Sequence, residues 1–410
     1  MMSKSKVPQI RFEGFSGEWE EKIINDLGDI VTGSTPNTQD KSNYGGKYLF
    51  VSPADIQNNR YVQTTITTLS IKGHNLGRIL YENSILFVSI GSTIGKVAQI
   101  KNKATTNQQI NAINPNKYNN SNFIYSMLVN KSQEIKKLAS AQAVPIINKT
   151  SFSEIEVIVP SDLNEQTKIG NYLQQLDKLI EEKEKKHQKL KQFKKAMLDK
   201  MFPKNGANTP EVRFEGFSGE WEEKKLGEIS ESFEYGLNVS AMKYDGKNKY
   251  IRITDINEDS HKFNIEDLTS PNIDLKLAEN YKLNLGDILF ARTGASVGKT
   301  YIYEKEDGLV YFAGFLIRAK IKQTINPEFI FQNTLTKKYD KFIRLTSQRS
   351  GQPGVNAQEY SNYKIYIPCT EEQTKIGNYF QTLDKQIDLQ NKEIEKLKNI
   401  KKASLDKMFV

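Results

Sequence analysis

The amino-acid sequence predicts an α+β protein made of two similar halves, each a mixed α/β body followed by one long helix. Three observations predict it. A helix-forming stretch occurs twice without insertion or deletion: residues 165–202 read EQTKIGNYLQQLDKLIEEKEKKHQKLKQFKKAMLDKMF, and residues 372–409 read EQTKIGNYFQTLDKQIDLQNKEIEKLKNIKKASLDKMF. The segment RFEGFSGEWEEK opens each half verbatim, at residues 11–22 and 213–224. Between these anchors, runs such as IEVIVP (155–160) and YKIYIP (363–368) alternate with the two-residue period of strands, among Gly- and Asn-rich loops.

Both long repeats lack Pro and are rich in Lys, Glu, Gln and Leu, which are good helix formers. Apolar residues recur at steps of three and four. They are Ile169, Leu173, Leu176, Ile180, Leu190 and Met197 in the first copy, and Ile376, Phe380, Leu383, Ile387, Ile394 and Leu397 in the second. That spacing draws a narrow seam along a helix about 57 Å long. Neither helix can bury its seam alone, so the two are expected to pack on each other. Lys183, His187 and Lys194, with Gln390, Lys401 and Ser404, interrupt the seam. Polar seam positions cost stability and fix register. Asp162 with Glu165, and Thr370 with Gln373, have capping-box spacing at the helix starts.

The bodies diverge but keep landmarks. Ile85-Leu86-Phe87, Gly91 and Gly95-Lys96 answer Ile288-Leu289-Phe290, Gly294 and Gly298-Lys299; Pro145 and Asn148 answer Pro353 and Asn356. Helical stretches are expected around residues 122–138 and 327–345. The expected division is a first body over 1–163 and a central spacer helix over 164–203. A second body covers 204–370, entered through a linker at 203–212, and a C-terminal spacer helix covers 371–410.

With 37% hydrophobic and 10% aromatic residues, the 410-residue chain has enough apolar mass for more than one core. The net charge of +9 hints at an anionic partner such as nucleic acid. The long helices, with ten Lys against six acids and eight against six, supply most of it, so a solvated basic helix face is an open alternative. The start, MMSKSKVPQI, has no apolar run of signal-peptide length, and no stretch nears about 18 apolar residues. Cys369 is the sole cysteine, which excludes an internal disulfide framework and suits a reducing, cytoplasmic setting.

Chemistry is hard to place in this chain. GSTIGK (91–96) and GASVGKT (294–300) have three residues between their glycines where a Walker A loop needs four. They read as tight turns, or as loops whose backbone and Lys approach a DNA phosphate or base edge. His74, His187, His261 and Cys369 are scattered, so no metal site is expected. No catalytic residue is assigned, and no Gly-rich strand–loop–helix suits a methyl-donor cofactor.

The order of anchors, RFEGFSGEW, variable body, EQTKIGNYL helix, then all again, resembles the specificity subunit of Type I restriction–modification systems over nearly the whole chain. The resemblance implies two target-recognition domains, each reading one part of a split double-stranded DNA sequence, and two long helices packed antiparallel as a coiled-coil spacer. It implies partners: two modification subunits that methylate adenine, and two restriction subunits. S-adenosylmethionine, ATP and Mg²⁺ would then be bound by those partners and not by this chain, which is expected to be non-catalytic in a bacterial or archaeal cytoplasm. A coiled-coil adaptor for proteins and a fused restriction–methylation enzyme are the competing readings.

Base readout needs paired hydrogen bonds, Arg or Lys with guanine and Asn or Gln with adenine. The expected DNA-binding residues in the first half are Ser89, Ser92, Thr93, Lys96, Asn107, Gln108, Gln142 and Asn148. In the second they are Arg292, Thr293, Ser296, Lys299, Gln348, Arg349, Gln352 and Asn356. Ser89 stands where the second half has Arg292, so an equivalent contact is in doubt in the first half. Phe12, Phe15 and Trp19, with Phe214, Phe217 and Trp221, are expected either to cap each body's core or to dock the modification subunits or the helix ends.

Overall fold

A computed structural model describes residues 6–139, 145–204, 206–348 and 351–410. The chain forms two compact units. One comprises Met1–Lys186 with Gln390–Val410, the other His187–Leu389. The long helices run over Leu163–Met201 and Thr370–Met408, so each unit contains part of both.

In the first unit a five-stranded sheet has the order Gly28–Thr32, Ile110–Pro115, Ile85–Val88, Val97–Ile100, Tyr61–Val62. The central strand, ILFV, is buried along its whole length, because the helix Ser121–Ala139 and a second apolar cluster take up its two faces. In the second unit a four-stranded sheet has the order Ser230–Tyr235, Leu316–Ile321, Ile288–Ala291, Thr300–Ile302. The helical stretch expected at 327–345 is two helices, Pro327–Asn333 and Lys337–Thr346. The break is local chemistry: the Thr334 and Thr336 hydroxyls donate to the carbonyls of Phe331 and Asn333, at 2.6 and 2.7 Å.

Each body enters its long helix through a strand, Glu156–Val159 or Lys364–Ile367, paired antiparallel with the strand after RFEGFSGEW. The capping boxes do not form. Asp162 accepts from the Asn164 N–H, but Glu165 turns to Arg11 instead. The second helix starts at Thr370 itself, and the Gln373 amide turns to Asn326 and Pro368.

Those turned side chains are a clamp, built twice. Arg11 grips Glu165 through Nε and Nη2, both at 2.7 Å, and Nη1 donates to the Gly17 carbonyl; Arg213 grips Glu372 at 2.6 and 2.7 Å and donates to Gly219. The hydrogen bond to Glu372 holds the Arg213 guanidinium above its ordinary pKa. Gln166 accepts from the Asn120 N–H, as Gln373 does from Asn326. Gly170 lets the helix touch the body: a Cβ there would stand 2.6 Å from the Phe123 nitrogen. Trp19 is buried against Phe123 and Phe409, and Trp221 against Phe202 and Phe329.

Within each unit the long helices run antiparallel. In the first unit Tyr172 meets Ser404, Asp177 meets Lys401 at 2.5 Å, and Lys183 meets Glu393 at 2.7 Å. In the second, Lys194 takes both oxygens of Asp384, at 2.6 and 2.8 Å. Four of the polar residues that interrupt the seam thus find a partner across it, and within each unit the pairings fix how the helices align. Ile169, Leu173, Ile180, Ile376, Phe380, Leu383 and Ile394 are buried; Leu176, Leu190, Met197, Ile387 and Leu397 are half-buried. Leu198, outside the expected seam, is buried because the last turn joins the core around Trp221.

Candidate nucleic-acid interface

In both units the buried sheet strand turns back on itself through the glycine loop. Gly91, Gly95, Gly294 and Gly298 have φ of 96°, 93°, 69° and 86°, a region that side chains with a Cβ rarely enter. The returning element is a strand, Val97–Ile100 or Thr300–Ile302. There is no helix N-terminus behind the loop to hold a nucleotide phosphate.

Two further loops close on this turn. Gly91 N–H donates to Pro145 and Ile147 N–H to Ser89, at 3.0 and 2.9 Å; Gly294 donates to Pro353 and Val355 to Arg292, both at 2.9 Å. From the other side Ser89 N–H donates to Gln109 and Arg292 N–H to Phe315, at 2.8 and 3.0 Å. Tyr360 braces the second site: its hydroxyl donates to the Ala291 carbonyl at 2.7 Å, and burial pushes the phenol well up, so it stays a donor.

The expected residues fall on these loops unevenly. Ser92 and Gln108 are exposed, and Gln108 accepts from Thr35 at 2.7 Å. Thr93 is half-buried in the turn. Asn107 is tied to Gln109 by its amide and by its oxygen. Lys96 Nζ donates to the Ile56 carbonyl at 2.9 Å, bracing the loop base. Ser89 is buried, its hydroxyl accepting from Asn111 at 2.9 Å, so it lies under the loop and not on it. Asn148 and Asn356 use their side-chain oxygens to cap the short helices Lys149–Ser153 and Ala357–Ser361. In the second unit Arg292, Thr293, Ser296 and Lys299 are half-buried, Gln348 and Gln352 exposed. Lys299 Nζ lies 3.6 Å from Glu258. Gln142 and Arg349 lie outside the described residues.

Three residues at the site were missed. The Gln109 amide nitrogen is 3.8 Å from where a Cβ on Gly91 would stand, and the Gln352 amide is 3.1 Å from the same point on Gly294. Tyr235 and Phe315, both exposed, flank Arg292. Strand alternation along Ser230–Tyr235 puts Tyr235 on the same face as the partly buried Phe233, so spacing alone does not show it exposed. The aromatic residues of the anchors fall elsewhere: Trp19 and Trp221 are core, Phe12 and Phe214 sit edge-on to Tyr172 and Tyr379, and Phe15 and Phe217 lie under Lys168 and Lys375.

Among the described residues no group of three His, Cys, Asp or Glu could hold a metal ion, and no helix is long and apolar enough to cross a membrane. Two like bodies, each presenting a polar surface of three braced loops, define a protein with two recognition heads. Comparison with known proteins gives the family. The model described as "Type I restriction modification DNA specificity domain" matches residues 16–192 and 218–399, and the chain belongs to that family.

Some relatives agree along nearly the whole length and others over part of it. The MjaIX Type I restriction enzyme specificity subunit of Methanocaldococcus jannaschii is 27% identical over 419 positions, covering 95% of this chain and 92% of that one. The HindI specificity subunit of Haemophilus influenzae is 35% identical over 147 residues, 35% of this chain and 32% of its own. Among solved structures, the S subunit of a Type I restriction–modification system from M. genitalium has a TM-score of 0.69 at 19% identity, covering 98% of this chain and 99% of that one, a likeness of fold.

Proposed function

We propose that the chain is the DNA-reading, non-catalytic subunit of a Type I restriction–modification complex. In this reading, residues 1–163 and 204–370 each take one block of a split target. The long helices, each 39 residues and so about 58 Å, set the gap between blocks. A turn of duplex is about 34 Å, so such a spacer leaves base pairs unread between the blocks. The chain recruits two adenine-modifying subunits and, through them, two restriction subunits. Methyl donor, ATP and Mg²⁺ belong to those partners.

One observation carries the reading. The clamps that join body to helix are the same in both units, while the side chains on the three-loop surfaces differ. Such a pattern suits one kind of partner met twice and two unlike DNA blocks. The test is footprinting of the complex on its modified motif. Lys299→Ala is expected to weaken only the block read by the second unit, by about 1–3 kcal/mol if a base contact is lost. Equal weakening of both blocks would reject the assignment of one block to each body.

A further inference from the structure

The two glycine loops share a backbone frame but carry opposite chemistry at one position. Ser89 and Arg292 each donate an N–H to one flanking loop and accept from the other. In the first unit the sheet beneath supplies Thr32 and Asn111, paired in register. They close a hydrogen-bonded chain: Thr32 Oγ1 donates to Asn111 Oδ1 at 2.6 Å, and Asn111 Nδ2 donates to Ser89 Oγ at 2.9 Å. Ser89 and Asn111 are both buried, so this chain is consumed inside the fold.

The register-equivalent pair in the second unit is Tyr235 and Ile317. Ile317 is fully buried and its side chain offers no polar partner, so the Arg292 side chain leaves the sheet. Its guanidinium lies 4.9 Å from the centre of the Tyr235 ring. The ring is pinned in turn, its hydroxyl accepting from Ala357 N–H at 3.2 Å. Among the described residues, the other contact of the guanidinium is Nη1 to the Gly314 carbonyl at 3.5 Å, the outer limit of hydrogen bonding. The neighbouring loop changes in step: Phe315, 58% exposed, takes the frame position of Gln109.

We propose that Arg292, positioned by Tyr235, reads a guanine in the block taken by the second unit, with Phe315 against the neighbouring base. This rests on the DNA-reading function above. Stacking uses the flat face of the guanidinium and leaves its in-plane N–H fork available. That fork matches the O6 and N7 acceptors of guanine, the commonest specific contact in the major groove. Holding the fork against a pinned ring removes rotamer freedom before binding. The first unit has no such group, and its exposed Gln108 and half-buried Gln109 supply amides instead.

The test uses the full chain in complex with its modification subunits, and duplexes randomised over the second block. The wild-type complex is expected to select guanine at one position there. Arg292→Ala is expected to lower affinity for the guanine duplex about 10- to 100-fold, level the four bases at that position, and leave the first block unchanged. Arg292→Lys keeps the charge but loses the fork, so it also levels the preference, with a smaller loss of affinity. Tyr235→Ala relaxes the same position, and Tyr235→Phe, which retains the ring, keeps the guanine. Should Tyr235→Ala fail to fold, Arg292→Lys and Tyr235→Phe still decide.

A uniform affinity loss in Arg292→Ala without any change of base preference, as from a phosphate contact, overturns the proposal. So does a second block without guanine. Either result leaves the two-block reading standing. A wild-type complex indifferent to sequence in both blocks would instead remove that reading itself.

Discussion

The two units agree where they grip the long helices and disagree where they face outward. Arg11 with Glu165 and Arg213 with Glu372 make the same fork, each with a third bond to a glycine carbonyl. Ser89 and Arg292 occupy one backbone frame, yet one side chain is buried in the sheet and the other stacks on an exposed ring. The lesson is a division of labour. Main-chain hydrogen bonds fix where a loop sits, so its side chains can change without moving it. The clamp has no such freedom, because each of its side chains is itself the fastener.

The largest expected effect is loss of a clamp. Glu165→Ala and Glu372→Ala each remove a buried carboxylate from a half-buried arginine that water can still reach, at a cost of about 2–3 kcal/mol in urea unfolding. The two are not equal. Glu165 also accepts from Trp19 Nε1 at 3.3 Å, whereas Trp221 Nε1 is buried without a partner. Glu165→Ala should therefore cost about 1 kcal/mol more; equal losses would show that the tryptophan bond contributes nothing.

A smaller contrast lies in the helix glycines. A Cβ on Gly170 would meet Phe123 N, Asn120 Oδ1 and Asn122 Cβ at 2.6, 2.7 and 2.9 Å; on Gly377 the Asn326 Oδ1 contact stays at 2.7 Å, but the backbone contact relaxes to 3.2 Å. Crowding costs about 1–3 kcal/mol, while Ala returns about 1 kcal/mol of helix propensity. Thermal melts should find Gly170→Ala the more destabilised and Gly377→Ala the less. The reverse order would mean that the first body yields more readily than its packing suggests.

The smallest effect depends on pH. Burial pushes Glu328 up to about 7, and nearby Asp384 adds to the rise against a hydrogen bond from Gln332. A carboxyl raised in the folded state favours folding in its protonated form. That stability is whole below the unfolded value near 4.3 and fades as pH climbs through 7. Glu328→Gln should leave melting at pH 5 nearly unchanged and raise it by a few degrees at pH 8. The first unit carries the neutral Asn122 at the matching helix start, so its melting should lack this dependence.

What the sequence disclosed was whatever repeats or alternates. The seam, the strands feeding the helices and the glycine turns were all visible, because each depends on spacing alone. Pro145 and Pro353 could be paired by eye, and both accept from the glycine of the turn. The capping boxes misled: Glu165 has the right spacing, but Arg11 is the stronger partner and sits far away in sequence. Gln109 and Phe315 could not be matched, because the segments before them differ in length and only strand register aligns them. The Arg292–Tyr235 stack joins two strands that are not neighbours in the chain, which no local pattern reports.

The division of each long helix between units carries a consequence for biosynthesis. Everything in the second unit lies within His187–Leu389, so a nascent chain holds all of it before Gln390–Val410 is made. The first unit, although its body is translated earlier, needs Gln390–Val410 to supply Lys401 for Asp177 and Phe409 for Trp19. The earlier-made half is thus the later to be completed: Trp19 lacks its Phe409 neighbour, and Asp177 its Lys401, until Gln390–Val410 has been made.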